Sequence, residues 1–162
     1  MISLKQGAGS SPVLNALDSA GLNISKGFPH PQPKLPEEIS SLNDGDLTSL
    51  YLLFNEYNNF LLMQVSLAKV DADYYGKQRA IAEARFIAEA PKTETVAKTK
   101  ARSLLDDGFV EVLNQADFAE HYATILEALQ KTSGESMWVI KGELTRRRNS
   151  SSFGNAARGY TP

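Results

Sequence analysis

The chain has 162 residues and a mass of 17.7 kDa, with 42% hydrophobic and 22% charged residues and a formal net charge of −2, which is enough for one modest core. The absence of cysteine excludes disulfide scaffolds, thiolate metal sites and cysteine nucleophiles, and two isolated histidines, His30 and His121, supply no zinc or triad constellation. No uninterrupted apolar run reaches the roughly 18 residues that a membrane helix needs, and MISLKQGAGSSP carries no apolar core behind Lys5, so neither a membrane span nor a secretory leader is expected.

Residues 1–40 hold five of the seven prolines and four of the eleven glycines, and PHPQPKLP (Pro29 to Pro36) reads as an extended polyproline-type stretch. Within this arm, Ser11 as a cap, Pro12 at the first helical position, then Val13, Leu14 and Leu17 before Gly21, predict one or two helical turns with an apolar face. So short a helix is not stable alone. Two readings stand open: a disordered leader, or an apolar anchor that docks Val13, Leu14 and Leu17 on a partner.

From Asp46 to Ala90 there is no proline and only Gly76, with Asn43 and Asp44 as capping candidates and Pro91 as the stop. This predicts a long helix. Apolar pairs recur every seven residues: Leu53 and Phe54, Phe60 and Leu61, Leu67 and Ala68, Tyr74 and Tyr75, Ile81 and Ala82. Five heptads in register are the pattern of a coiled-coil seam, with Phe54, Leu61, Ala68, Tyr75 and Ala82 as its interface candidates. Leu47, Leu50 and Tyr57 widen the stripe beyond what a single facing helix needs. Beside it fall Gln64, Asp71, Gln78, Arg79 and Arg85, either partly exposed or fixing helix register.

The connector Pro91 to Gly108 contains Glu94 to Leu105, which either forms a short helix or leads into the next one, and Asp106, Asp107 and Gly108 mark a break. A second amphipathic helix is predicted over Phe109 to Arg147, repeating as Val112, Ala119, Leu126, Ser133 and Ile140, with Ala116, Ala123, Met137 and Leu144, and with Phe118, Ile125 and Val139, as companions. Ala119, Leu126 and Ile140 are its interface candidates. At 1.5 Å per residue the two helices would be about 68 and about 58 Å long, so the expected fold is all-α, an elongated antiparallel helical hairpin. The boundaries are an extended arm (1–42), the hairpin (43–148) and a flexible basic tail (149–162). A thin two-helix core also predicts homo-oligomerisation or docking to a larger body.

Charge is unevenly laid out. Residues 1–40 balance at zero, residues 41–145 carry 10 basic against 16 acidic residues for a net of −6, and residues 146–162 carry four arginines and no acid. Arg146, Arg147 and Arg148 either complement a helix C-terminal dipole or grip a carboxylate or phosphate partner. A protein partner is favoured because the body is acidic, with nucleic acid as the other occupant. Phe153 and Tyr160 are candidate aromatic anchors beside them. Neither GxGxxG nor GxxxxGK[ST] occurs, and the pairs Asp71/Asp73 and Asp106/Asp107 lack the further oxygen ligands of a calcium loop. No catalytic residue, cofactor or metal is expected, and the chain reads as non-enzymatic.

The ELTRR of Glu143 to Arg147, closing a long hairpin whose first half opens with LxxLYxxF (Leu47 to Phe54), resembles small helical proteins of tailed bacteriophages over about residues 46–148. The resemblance implies a setting, the virion and the host cytoplasm during assembly. Within that setting, rigid helices with extended arms that lie on neighbouring subunits read as a structural role: a capsid-associated, cementing or connector-region component bound to capsid or connector proteins. The alternative is a DNA-packaging accessory of the small-terminase kind, whose usual helix-turn-helix segment the Pro- and Gly-rich arm does not supply, or another nucleic-acid-binding oligomer.

Overall fold

The computed structural model of the chain describes residues 2–3, 7–22 and 27–157. In chain order these form β1 (Ile2–Ser3), α1 (Ser10–Ser19), β2 (Gly27–Phe28), a 3-10 turn (Ile39–Ser41), α2 (Asp44–Ala88), α3 (Val96–Ser103) and α4 (Asp107–Ala157). The fold is all-α, with the two long helices α2 and α4 packed antiparallel as their heptads predict. Among the described residues the strand content is one two-residue antiparallel pairing, Ile2 opposite Phe28 and Ser3 opposite Gly27.

Each helix starts where a side chain accepts an orphan N–H. Asn43 Oδ1 accepts the Asp46 N–H at 2.8 Å while Asn43 Nδ2 donates to the Asp46 carboxylate at 2.6 Å. Asp106 Oδ1 takes the Phe109 N–H at 2.9 Å, and Thr95 Oγ1 faces the Lys98 N–H at 3.4 Å. α1 stops at Gly21, whose φ of +76° only glycine adopts without strain. There the Gly21 N–H bonds Asp18 O and the Leu22 N–H bonds Leu17 O, the paired closure of a Schellman motif. α2 ends at Ala88, just short of Pro91, which has no N–H to continue the ladder and disfavours helix in the residue before it.

Contacts divide the chain into two compact units. The first comprises Met1–Ser3, Lys26–Leu62 and Ala128–Pro162. Leu47, Phe54 and Ile140 form its core, with Leu42, Met137 and Leu144 packed against them. Phe28 is buried there too, its ring 5.1 Å from Tyr57 and 6.0 Å from Phe60. The second unit comprises Leu4–Ser25 and Met63–Glu127. Its core is Val65, Ala68, Ala123 and Leu126 with Tyr122 against them, and Phe86 meets Phe109 edge to face at 5.2 Å.

Two expectations change. The segment 1–42 is no stand-off arm: α1 gives buried Leu14 to the second unit, and β2 and the following prolines give buried Phe28 and Pro33 to the first. The second helix does not end at Arg147 but runs on to Ala157. No proline interrupts it before Pro162, and once a helix is nucleated each added residue gains one backbone bond.

Candidate interaction surfaces

The N-terminus of α1 is held by one carboxylate. Asp71, on α2, accepts the Gly9 N–H at 2.9 Å and the Ser10 N–H at 2.7 Å on Oδ1, and the Ser10 hydroxyl at 2.8 Å on Oδ2. The anion caps the helix from another element and meets the positive end of its dipole. The cap is therefore Gly9, with Asp71 doing what Ser11 is expected to do from within α1. Glycine is required on both sides of this contact. A Cβ on Gly9 would lie 2.6 Å from Tyr74 Cβ, and one on Gly7 would overlap the Asp71 carboxyl group. Leu14, expected to dock on a partner, is 2% exposed and packed within this unit, Leu17 is half-buried, and Val13 alone of the three is exposed.

Arg147 has a similar internal engagement in the first unit. Its Nη1 donates to Leu42 O at 2.7 Å and to Asp44 Oδ1 at 2.8 Å, its Nη2 to Ser40 O at 3.0 Å and Ile39 O at 3.5 Å, and its Nε to Glu143 Oε1 at 2.7 Å. Only 19% of the side chain is exposed. The guanidinium thus collects the carbonyls of the 3-10 turn and fixes the approach to α2, with all three of its nitrogens engaged within the unit. Arg146 is exposed but holds Glu143 through both Nε and Nη2 at 2.7 Å. These two arginines, Arg146 first, hold the Glu143 carboxyl at about 2, against an ordinary value of 4.5. The helix runs on past them, so the dipole reading of Arg146, Arg147 and Arg148 is replaced by side-chain pairing for the first two, while Arg148 lies exposed. Phe153 falls where the backbone alone is described, and Tyr160 lies outside the described residues.

Of the seam residues, Phe54, Leu61, Ala68, Ala119, Leu126 and Ile140 are buried, and Tyr75 and Ala82 are half-buried. Burial along α2 thus fades beyond Ala68. Gln64 is buried, Arg79 pairs with Asp117 at 3.2 Å and Glu83 at 3.4 Å, and Gln78 and Arg85 are exposed. On α4 the companions Phe118 (58% exposed) and Ile125 (60%) stand outside the seam, as does Val139. Sequence reasoning passed over Trp138, which is 78% exposed.

In the second unit an apolar cavity of about 220 Å³ opens between Ala68, Asp71, Tyr75, Phe118, Ala119 and Tyr122. The Phe118 and Tyr122 rings stack with centroids 6.0 Å apart, and burial pushes the Tyr122 phenol up. Both Asp71 oxygens are already committed to α1. His121 Nδ1 lies 2.5 Å from the carbonyl of Asp117 on its own helix, and His30 meets the Phe28 ring edge to face at 5.6 Å. Among the described residues no group of three His, Asp or Glu side chains is placed to hold a metal ion, and no helix is long and apolar enough to cross a membrane. What the chain presents is surface: apolar side chains on α4 and around α3. No protein-family model matches the chain, and no curated protein or solved structure is significantly similar to it.

Proposed function

We propose that the chain is a non-enzymatic structural component of a larger protein assembly, and that the assembly is a tailed-phage virion in which it serves as a capsid-associated, cementing or connector-region protein. The observation that carries the assembly reading is the uncovered apolar surface of α4, where Phe118, Ile125, Val139 and Trp138 all stand in solvent. Scattered single apolar residues need no explanation, but large ones recurring along one helix point to an interaction surface. Phe118, Ile125 and Val139 keep the seven-residue register of the hairpin seam, so a further helix is the fitting occupant. The virion setting rests on the ELTRR and LxxLYxxF resemblance alone. Mass spectrometry of purified virions tests it: a fixed high copy number is expected, and absence from the particle removes the setting.

A further inference from the structure

α3 is inside out. Its buried positions are Thr99 and Ser103, whereas Val96, Leu104 and Leu105 at its ends are exposed, Leu105 to 85%. The two inward hydroxyls are satisfied by the helix's own backbone, Thr99 Oγ1 on Thr95 O at 3.2 Å and Ser103 Oγ on Lys100 O at 2.9 Å, so neither helps bind α3 to its neighbours. A helix that turns its hydroxyls inward, with two exposed leucines directly after it, leaves apolar area in water that a partner would cover. The outward strip is flanked by Lys98 and Lys100, both exposed and without an ion pair among the described residues, while Arg102 is taken by Glu94 at 3.4 Å. Beside it lies an apolar groove of about 150 Å³, walled by Phe86, Ile87, Leu104 and Phe109, with Lys100 in its lining together with Glu83, which is paired with Arg79.

The chain carries the complement of this surface in its first unit. Leu35 and Pro36 close the proline stretch behind exposed Lys34, and Glu37 and Glu38 follow it; both carboxylates are exposed and without an ion pair among the described residues. Leu35 is exposed as well. We infer that α3 of one copy docks the Leu35–Glu38 segment of a second copy, Leu35 entering the groove and Glu37 and Glu38 meeting Lys98 and Lys100. Charge complementarity selects this occupant: the unpaired ammonium group of Lys100 at the apolar groove, with that of Lys98 on the adjoining side of α3, faces two unpaired carboxylates beside an exposed leucine. The prolines hold the segment extended before it binds, which lowers the ordering cost. Because the two surfaces differ, the contact is head to tail and propagates into a ring or an open filament. It deepens the assembly reading, rests on it only for the need of a partner, and is independent of the virion setting.

The test is sedimentation velocity of the full chain over a concentration series, at low and high salt, with charge-reversal variants. Wild type is expected to associate in a salt-sensitive, concentration-dependent way. K98E/K100E and E37K/E38K are each expected to weaken association by roughly tenfold or more, since attraction is replaced by repulsion at two positions. An equimolar mixture of the two variants restores it, because the acidic α3 of one then meets the basic segment of the other. The quadruple variant restores it within one chain. A wild type that stays monomeric to about 100 μM overturns the proposal, and so does association that ignores the reversals or that is lost without recovery in the mixture. Binding of wild type, but not K98E/K100E, to phosphatidylserine vesicles without self-association assigns the surface to a bilayer and also overturns it.

Discussion

Asp71 shows how a single side chain positions an element far from it in sequence. Two N–H groups and a hydroxyl of the α1 terminus bond its carboxylate, so Asp71→Ala leaves two partly buried N–H groups unmatched and the Ser10 hydroxyl with Gly7 O at 3.5 Å alone. An expected loss of about 1–3 kcal/mol follows, and Asp71→Asn, which keeps one acceptor oxygen, should lose less. Urea denaturation, with amide exchange at Gly9 and Ser10, checks both; unchanged protection at these two amides in Asp71→Ala would show that α1 is held otherwise. Glu143 gives a pH prediction. Its carboxyl is held at about 2 in the folded chain against an ordinary 4.5, so the pairing with Arg146 and Arg147 contributes fully above pH 4.5 and is lost as pH falls from 4.5 toward 2. Glu143→Gln should flatten that part of the stability profile, and thermal melts at a series of pH values measure it. Neither role is legible in the sequence. Ser10 and Asp71 stand 61 positions apart, and Arg147 and Leu42 stand 105 apart. Local reading therefore assigns Asp71 to a cation or to solvent and Arg147 to a helix terminus.

At the scale of the helix, heptad register makes a sharp contrast between neighbours. Leu61 is buried in the α2 seam while Leu62, one position on and about 100° round the helix, is exposed. Leu61→Asp places an unpaired charge among apolar side chains and should cost more than about 4 kcal/mol, whereas Leu62→Asp should stay within about 0.5 kcal/mol. Equal denaturation midpoints for the two variants would show the stripe to be misplaced. The long helices, their pairing and most of the seam were legible because a period of seven over several turns has few other solutions. The buried stripe of α4, Ala119, Leu126 and Ile140, follows from the same register and not from hydrophobicity. Hydrophobicity ranks Phe118 and Ile125 above Ala119 and Ala123, yet the alanines are buried and the larger residues exposed. Small residues allow close approach of two helices, and Ala123 shares its buried cluster with Val65 and Ala68 of α2. The inverted faces of α3 were hidden, since polar residues at Thr99 and Ser103 read as the solvent side until their hydroxyls are seen bonding their own backbone.

Across the whole chain, the N-terminal segment decides how much of the sequence is fold and how much is appendage. Proline and glycine content marks residues 1–42 as an arm, but composition does not show whether an arm lies on its own chain or on a neighbour. In the structure α1 supplies buried Leu14 to one unit, β2 supplies buried Phe28 to the other, and the carbonyls of Ile39, Ser40 and Leu42 receive Arg147. Deleting residues 1–42 therefore removes two large buried side chains, each worth about 2–5 kcal/mol by analogy with truncation to alanine. It also strips Arg147 of three acceptors. Set against a total stability of about 5–15 kcal/mol for a domain, that loss is comparable with the whole. The truncated chain is expected to lose much of its helical circular dichroism signal at 25 °C, or to melt far below the intact protein. A truncation that melts at the intact temperature with undiminished helix content would instead return the segment to the status of an appendage. The paired substitutions Leu14→Ala and Phe28→Ala separate the two units' shares: each should destabilise by about 2–5 kcal/mol, measured by denaturation of the full-length chain, where no residue has been removed.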